Sequence, residues 1–499
     1  MVGPFCFVRP IKLVRNWRIL NTKKEKHNGK FAMRGVVMLF SSFTFLFWFL
    51  PLTLGLYFLP TLLRVKHKRR KMVWQNATLL VASLFFYAFG EPIYVLLMLG
   101  TALVNAVLAW QIPKARHARI PLIVAIVLDV GLLVFFKYPP LIGLQAPSLP
   151  LGISFYTFQA LSYVCDVYMK RASPSKNPLT VCLYVALFPQ LVAGPIVRYT
   201  DVEQALYHRE VTASHMAGGI SRFATGLAKK VLLANSAGAI FTTFITNSTP
   251  TFLGAWCALL SFAFQIYFDF SGYTDMAIGL GALFGFRFPE NFHYPYMARN
   301  VTDFWKRWHI TLSSFFREYV YIPLGGNRLG IKRTLLNLLI VWSLTGLWHG
   351  ASLNFVLWGL YYFALLLLEK FVFSRVVSRI SSTVSIPITF LLTLFGWLLF
   401  AFDGGMPQTS LSALPRFVTA LFGAGGMALG ADLYDALRAF PILLVCAIAA
   451  TPFPRRLFRR LTMKKGGALL RATLPLFALL LSIAALADAG YNPFLYLRF

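Results

Sequence analysis

His309 and His349 are the residues of this sequence best suited to chemistry, because imidazole is the side chain whose ordinary ionisation lies near neutrality and both lie beside or inside long apolar runs. His349 ends a run whose polar residues are Asn337, Ser343 and Thr345, and Gly346 and Gly350 bracket it, allowing close backbone approach. An ionisable group at membrane depth is expensive to bury and is a functional hypothesis by default. A neutral imidazole there can act as a general base; the alternative is a histidine that only bridges helices. His309 falls on the apolar side of its segment, where it is either hydrogen-bonded in the core or pointed into a cavity from below.

Asp269 and Asp275 form a third polar island, with Ser271, Gly272 and Tyr273 between them. Acidic groups at that depth need partners, which Arg287, Arg299 or a break in the helix can supply. Capping of a helix end and a direct role in a cavity shared with Gln265, Tyr267 and Tyr273 both fit. The sequence holds no HExxH, P-loop, GxSxG or CxxC pattern, so metal, nucleotide and serine-hydrolase chemistry have no support. One or two histidines acting on a substrate that brings its own activated bond remain.

At 100° per residue, Asp303 to Val320 resolves into two arcs. Phe304, Trp305, Trp308, Leu312, Phe315, Phe316 and Tyr319 share one, while Asp303, Lys306, Arg307, Ser314, Arg317 and Glu318 share the other. The pattern predicts a helix lying at the membrane interface with its cations towards the cytoplasm. A tight turn at Pro323-Leu-Gly-Gly-Asn327 follows, and then a climbing apolar run to Leu347-Trp348-His349-Gly350.

The 499 residues are 58% hydrophobic and 13% charged, with mean hydropathy +0.65, which a water-soluble domain could not accommodate. A helical span takes roughly 20 apolar residues, and about eleven to thirteen such runs can be placed. The expected fold is an all-α polytopic membrane protein. Continuous rather than alternating runs exclude a β-barrel. The net charge of +31 sits in short loops, as the positive-inside rule expects, so it argues for anionic membrane lipid or a phosphate-bearing substrate and against nucleic acid. Cys6, Cys165, Cys182, Cys257 and Cys446 read as small core residues.

Residues 1–37 carry nine Lys or Arg and a single acid and form a basic extension distinct from a single membrane domain, 38–499. Arg64 to Lys71 is also basic, so both flanks of the first span are, which the positive-inside rule cannot satisfy at once. A start at Met38 removes the conflict; a true cytoplasmic tail with another topology is the alternative. Further basic clusters mark cytoplasmic ends at Lys114–Arg119, Lys170–Arg171, Arg328–Arg333, Lys370–Arg379 and Arg455–Lys465, which puts the C-terminus outside. Breaks are expected at Pro147–Gly152, at Pro189 with Gly194-Pro195, and at Asp269–Asp275. Broken helices at membrane depth need protein or water to satisfy their backbone, so they argue for an internal funnel.

These residues resemble the membrane-bound O-acyltransferase (MBOAT) superfamily, and within it the bacterial branch typified by the membrane subunit of alginate O-acetylation, with the teichoic acid D-alanyl transfer protein as a cousin. The resemblance rests on Met38-Leu-Phe-Ser-Ser, Leu151-Gly-Ile-Ser-Phe-Tyr156, Leu191-Val-Ala-Gly-Pro195, Gln265-Ile-Tyr-Phe-Asp-Phe-Ser-Gly-Tyr273, Arg307-Trp-His309, Leu347-Trp-His-Gly350 and Asn492-Pro-Phe-Leu-Tyr496. It implies a ring of helices and half-helices around a central tunnel in the cell inner membrane. His349 matches the family's membrane-embedded catalytic histidine and His309 its second. It further implies acetyl-CoA as acyl donor substrate with no bound cofactor or metal, a polysaccharide acceptor, and a separate periplasmic or surface acetyltransferase that finishes the transfer.

On that reading Lys306, Arg307 and Arg317, with Lys332 and Arg333, hold donor phosphates by charge-assisted bonds. Asp269, Tyr273 and Trp348 complete the donor site. His349 is the base for an acceptor hydroxyl, and His309 orients the thioester or stabilises developing negative charge. A transporter that makes no bond, and an enzyme that acylates a lipid or protein hydroxyl, are the alternatives.

Overall fold

The computed structural model describes residues 37–499 except 140–144, 146, 248, 374–378, 465–466, 489–494 and 496–499. The basic extension expected at 1–37 therefore lies outside the described residues apart from Val37; Met38 and Phe40 just after it are buried. Among the described residues there is no strand, and eight helices are long and apolar enough to cross a membrane, nine if the bent pair Gly430–Ala449 and Phe453–Thr462 counts as one span. Shorter buried helices such as Ile153–Tyr168 and Pro178–Ala186 account for other apolar runs.

The outer helices turn large apolar side chains outward, with Trp48 77%, Leu96 73% and Phe477 63% exposed, a pattern that suits a lipid surrounding. The long helix Phe252–Leu283 has the opposite character, its most apolar window 72% buried, and it packs against Ala213–Ala228, Asn235–Ile245, Ser382–Ala401 and Gly430–Ala449. Small residues set how close those neighbours come. A Cβ on Gly226 would stand 2.5 Å from the Gly272 carbonyl oxygen, and one on Gly219 would stand 2.8 Å from that of Gly279.

The structure differs from the expected breaks at one place and adds another. Phe252–Leu283 runs unbroken through Asp269–Asp275, because side chains rather than a backbone break satisfy the acids. Lys230 pairs with Asp269 at 2.6 Å, and Arg222 and Lys229 pair with Asp275 at 2.6 Å each; Arg287 and Arg299, the partners expected from sequence, are not in these pairs. Conversely, Asp303–Val320 is not one helix. It is Val301–Arg307 and Ile310–Phe316, parted at Trp308 and His309, with a wider-wound turn Arg317–Tyr321 after them. The apolar arc is buried apart from the half-buried Tyr319, and the charged arc is not. Gly152 breaks the chain as expected, at φ +69°, where a Cβ would meet the Leu191 carbonyl oxygen at 2.6 Å.

Candidate active site

His349 is the last residue of the helix Gly330–His349 and is 3% exposed. Its helix reverses at Gly350 into Leu353–Leu367, and the two cross through glycines. A Cβ on Gly346 would lie 2.4 Å from the Phe355 oxygen, and one on Gly359 would lie 2.4 Å from the Trp342 oxygen. The turn Pro323–Asn327 at the foot of this helix is held by Arg333 Nε, which donates to the Leu324 oxygen at 3.1 Å, and by Asn337 Nδ2, which donates to the Gly326 oxygen at 2.9 Å. Aromatic rings wall the imidazole of His349: Trp348 at 4.9 Å between centroids, Trp358 at 5.1 Å and Phe400 at 5.2 Å.

His309 occupies the break between its two helices at φ +43°, a left-handed conformation that is uncommon for a side chain with a Cβ and collects at functional sites. The preceding piece is anchored at its start by Asn300 Oδ1, which accepts from Asp303 N at 2.7 Å, and by Glu369, which accepts from Val301 N at 2.7 Å. The break itself is paired to residues 291–293: His293 N donates to the Arg307 oxygen at 2.9 Å and Ile310 N to the Asn291 oxygen at 3.0 Å.

Asn291 sets the state of His309. Its Oδ1 accepts from Thr311 N at 3.2 Å and Thr311 Oγ1 at 3.0 Å, and lies 3.1 Å from His309 Nδ1. An amide oxygen that already accepts from a backbone N–H is an acceptor, so Nδ1 carries the proton and Nε2 presents a lone pair. Nε2 has no hydrogen-bond partner among the described residues.

The two histidines lie near one indole. The Trp348 centroid is 6.0 Å from that of His309 and 4.9 Å from that of His349, and Phe270 closes the other side of His309 at 4.7 Å. Trp348 is thus the aromatic neighbour that the two candidate catalytic rings share. Asp269 and Tyr273 flank Phe270 on the long helix but have other contacts. Asp269 Oδ1 faces Lys230 and Oδ2 accepts from Leu495 N at 2.7 Å, while Tyr273 stacks on Phe40 at 4.6 Å. Arg307 is paired with Asp303 at 2.8 Å. Lys306, Arg317 and Lys332 are exposed, and no carboxylate among the described residues pairs with Lys306 or Arg317.

Sequence reasoning missed Lys137 and Asn291. Lys137 ends the span Arg119–Lys137, is 8% exposed, and donates from Nζ to the Trp348 oxygen at 2.6 Å. Tyr138 donates from its hydroxyl to the Leu347 oxygen. The last carbonyls of a helix lack i+4 partners; here Leu347 O also accepts from Gly350 N at 3.1 Å, and Lys137 supplies a donor to Trp348 O. A lone lysine at the end of an apolar run was the available signal; its partner is a backbone oxygen, which no residue type announces.

Comparison with known proteins agrees with this geometry. The family model for the membrane-bound O-acyltransferase family matches residues 77–402. The chain is 38% identical over 408 residues to a probable alginate O-acetylase AlgI of Pseudomonas aeruginosa, covering 78% of this chain and 75% of that one. It is 33% identical to the protein of the same name in Pseudomonas putida, covering 93% of this chain and 100% of the other. It is also 37% identical to a peptidoglycan O-acetyltransferase of Helicobacter pylori over 66% of this chain and 69% of that one. With two buried histidines near one indole in an all-helical polytopic fold, and matches of this extent, the chain belongs to the membrane-bound O-acyltransferase family.

Proposed function

We propose that this protein takes an acetyl group from cytoplasmic acetyl-CoA and passes it across the cell inner membrane for O-acetylation of an extracellular polysaccharide. The observation that carries the reading is the placement of His309 and His349 against the same Trp348 ring. Relatives named for alginate and for peptidoglycan acetylation support a polysaccharide acceptor, and membership of an acyltransferase family weighs against a carrier that makes no bond. Basic clusters at the helix ends support a cytoplasmic donor side and an external C-terminus. A separate periplasmic or surface acetyltransferase would complete delivery to the polymer.

In the chemical step, His349 removes the proton of the acceptor hydroxyl as its oxygen attacks the thioester carbonyl. The tetrahedral intermediate then expels coenzyme A as its thiolate, and the new ester leaves on the acceptor. Because His309 Nδ1 is committed to Asn291, Nε2 is an acceptor and suits orienting an N–H of the donor arm rather than donating to an oxyanion. Lys137, its Nζ held on the Trp348 carbonyl, fixes the helix end that carries Trp348 and His349.

Loss of a general base lowers rate by about 10²- to 10⁴-fold. Mass spectrometry of extracellular polymer from cells carrying His349→Ala is expected to show acetyl groups lost while the protein still reaches the membrane. Acetylation at the wild-type level would defeat the assignment.

A further inference from the structure

We propose that an arginine-lined cavity, separate from the histidine site, binds the phosphate groups of the acyl donor. The cavity is partly open, with a volume of 610 Å³, within the range usual for small-molecule sites, about 300–1,000 Å³. Arg307 and His293 form one wall; Arg455, Arg456 and Arg459 of the helix Phe453–Thr462 form the other. That helix is bent by 69° from Gly430–Ala449, which turns it away from the direction of the preceding helix.

Cytoplasmic arginines are common on membrane helices for reasons of topology alone, but topology does not require them to enclose a cavity with an arginine and a histidine from elsewhere in the chain. No acidic residue lines it, and no carboxylate among the described residues pairs with Arg455, Arg456 or Arg459. Their charge is therefore available to a ligand; Arg307 shares its own with Asp303. Guanidinium groups match phosphate oxygens bidentately, so the chemistry that fits is a phosphate mono- or diester.

The cavity is also wired to the candidate chemistry. Its wall residues His293 and Arg307 bond to each other along the backbone, and two residues further along the same paired segments Asn291 meets His309. One short segment, 291–293, therefore carries both a wall of the cavity and the residue that holds His309.

This inference rests on coenzyme A being the donor's carrier; an anionic lipid headgroup offers the same phosphate chemistry. Purified protein in nanodiscs of neutral lipid would be titrated with coenzyme A and with 3′-dephospho-coenzyme A by calorimetry. The wild type would be set against an Arg455→Ala, Arg456→Ala, Arg459→Ala triple variant, with Arg416→Ala as a basic control outside the cavity. All three arginines are exposed, so the fold should survive, as size-exclusion chromatography checks.

The expected result is at least a tenfold weaker affinity for coenzyme A in the triple variant, none in the control, and a smaller preference for the 3′-phosphate. Equal binding by wild type and triple variant overturns the cavity assignment alone. No binding by the wild type overturns it together with the donor reading. Unchanged coenzyme A binding with loss of co-purified phosphatidylglycerol, read by native mass spectrometry, overturns the donor site in favour of a lipid.

Discussion

Gly359→Ala tests whether the position of His349 is set by the glycine crossing. The added Cβ would lie 2.4 Å from the Trp342 oxygen, against 3.4 Å or more for ordinary van der Waals contact. The helices Gly330–His349 and Leu353–Leu367 must then part by about 1 Å, since the obstructing atom is backbone and cannot rotate away. Overpacking of this kind costs about 1–3 kcal/mol of stability. A shift of about 1 Å in a reacting group costs on the order of 10²-fold in rate, and His349 lies less than a turn beyond Gly346, the other glycine of the crossing. We therefore expect a folded protein whose acetyl transfer is reduced by roughly 10²-fold. The assay is release of labelled acetyl from donor in membrane vesicles, normalised to monodisperse protein. Gly100→Ala is the control, because no atom lies within 4 Å of its Cβ, and it should be neutral. Wild-type turnover by monodisperse Gly359→Ala would refute the reasoning.

Two further substitutions probe the buried charges. Lys137→Met removes the donor to the buried Trp348 carbonyl; an acceptor left unsatisfied costs about 1–3 kcal/mol, which corresponds to about a 5- to 150-fold loss of transfer, with partial recovery in Lys137→Arg, and full activity in the methionine variant would sink the idea. Lys230→Met leaves the Asp269 carboxylate buried without its cation and should destabilise by about 3–5 kcal/mol, measured by thermal unfolding in detergent. Adding Asp269→Leu should restore part of that stability, and whether the double variant still transfers acetyl separates a structural Asp269 from a donor-binding one.

Much of the architecture was legible because lipid imposes long apolar runs and the turn at Gly325 and Gly326 has positive φ, 103° and 58°, which glycine alone adopts freely. The position of His349 at a helix end could be read from its flanking glycines. The break at His309 could not, because one left-handed residue between two short helices disturbs a period of 3.6 too little to erase the two arcs. The continuity of Phe252–Leu283 was obscured for the opposite reason: acids inside an apolar run suggest an interruption, whereas Lys230, Arg222 and Lys229 neutralise them from neighbouring segments. Asn291 and Lys137 act through a side-chain tautomer and a backbone carbonyl, contacts that exist only once distant segments meet.

The bond from Leu495 N to Asp269 joins residues 226 apart in the chain. Translation delivers about 5–20 residues per second, so this carboxylate waits on the order of 10 to 45 seconds inside the inserting chain before its last partner is made. Lys230 precedes Asp269 in the chain, so it is the partner that can neutralise this carboxylate while the chain is still inserting.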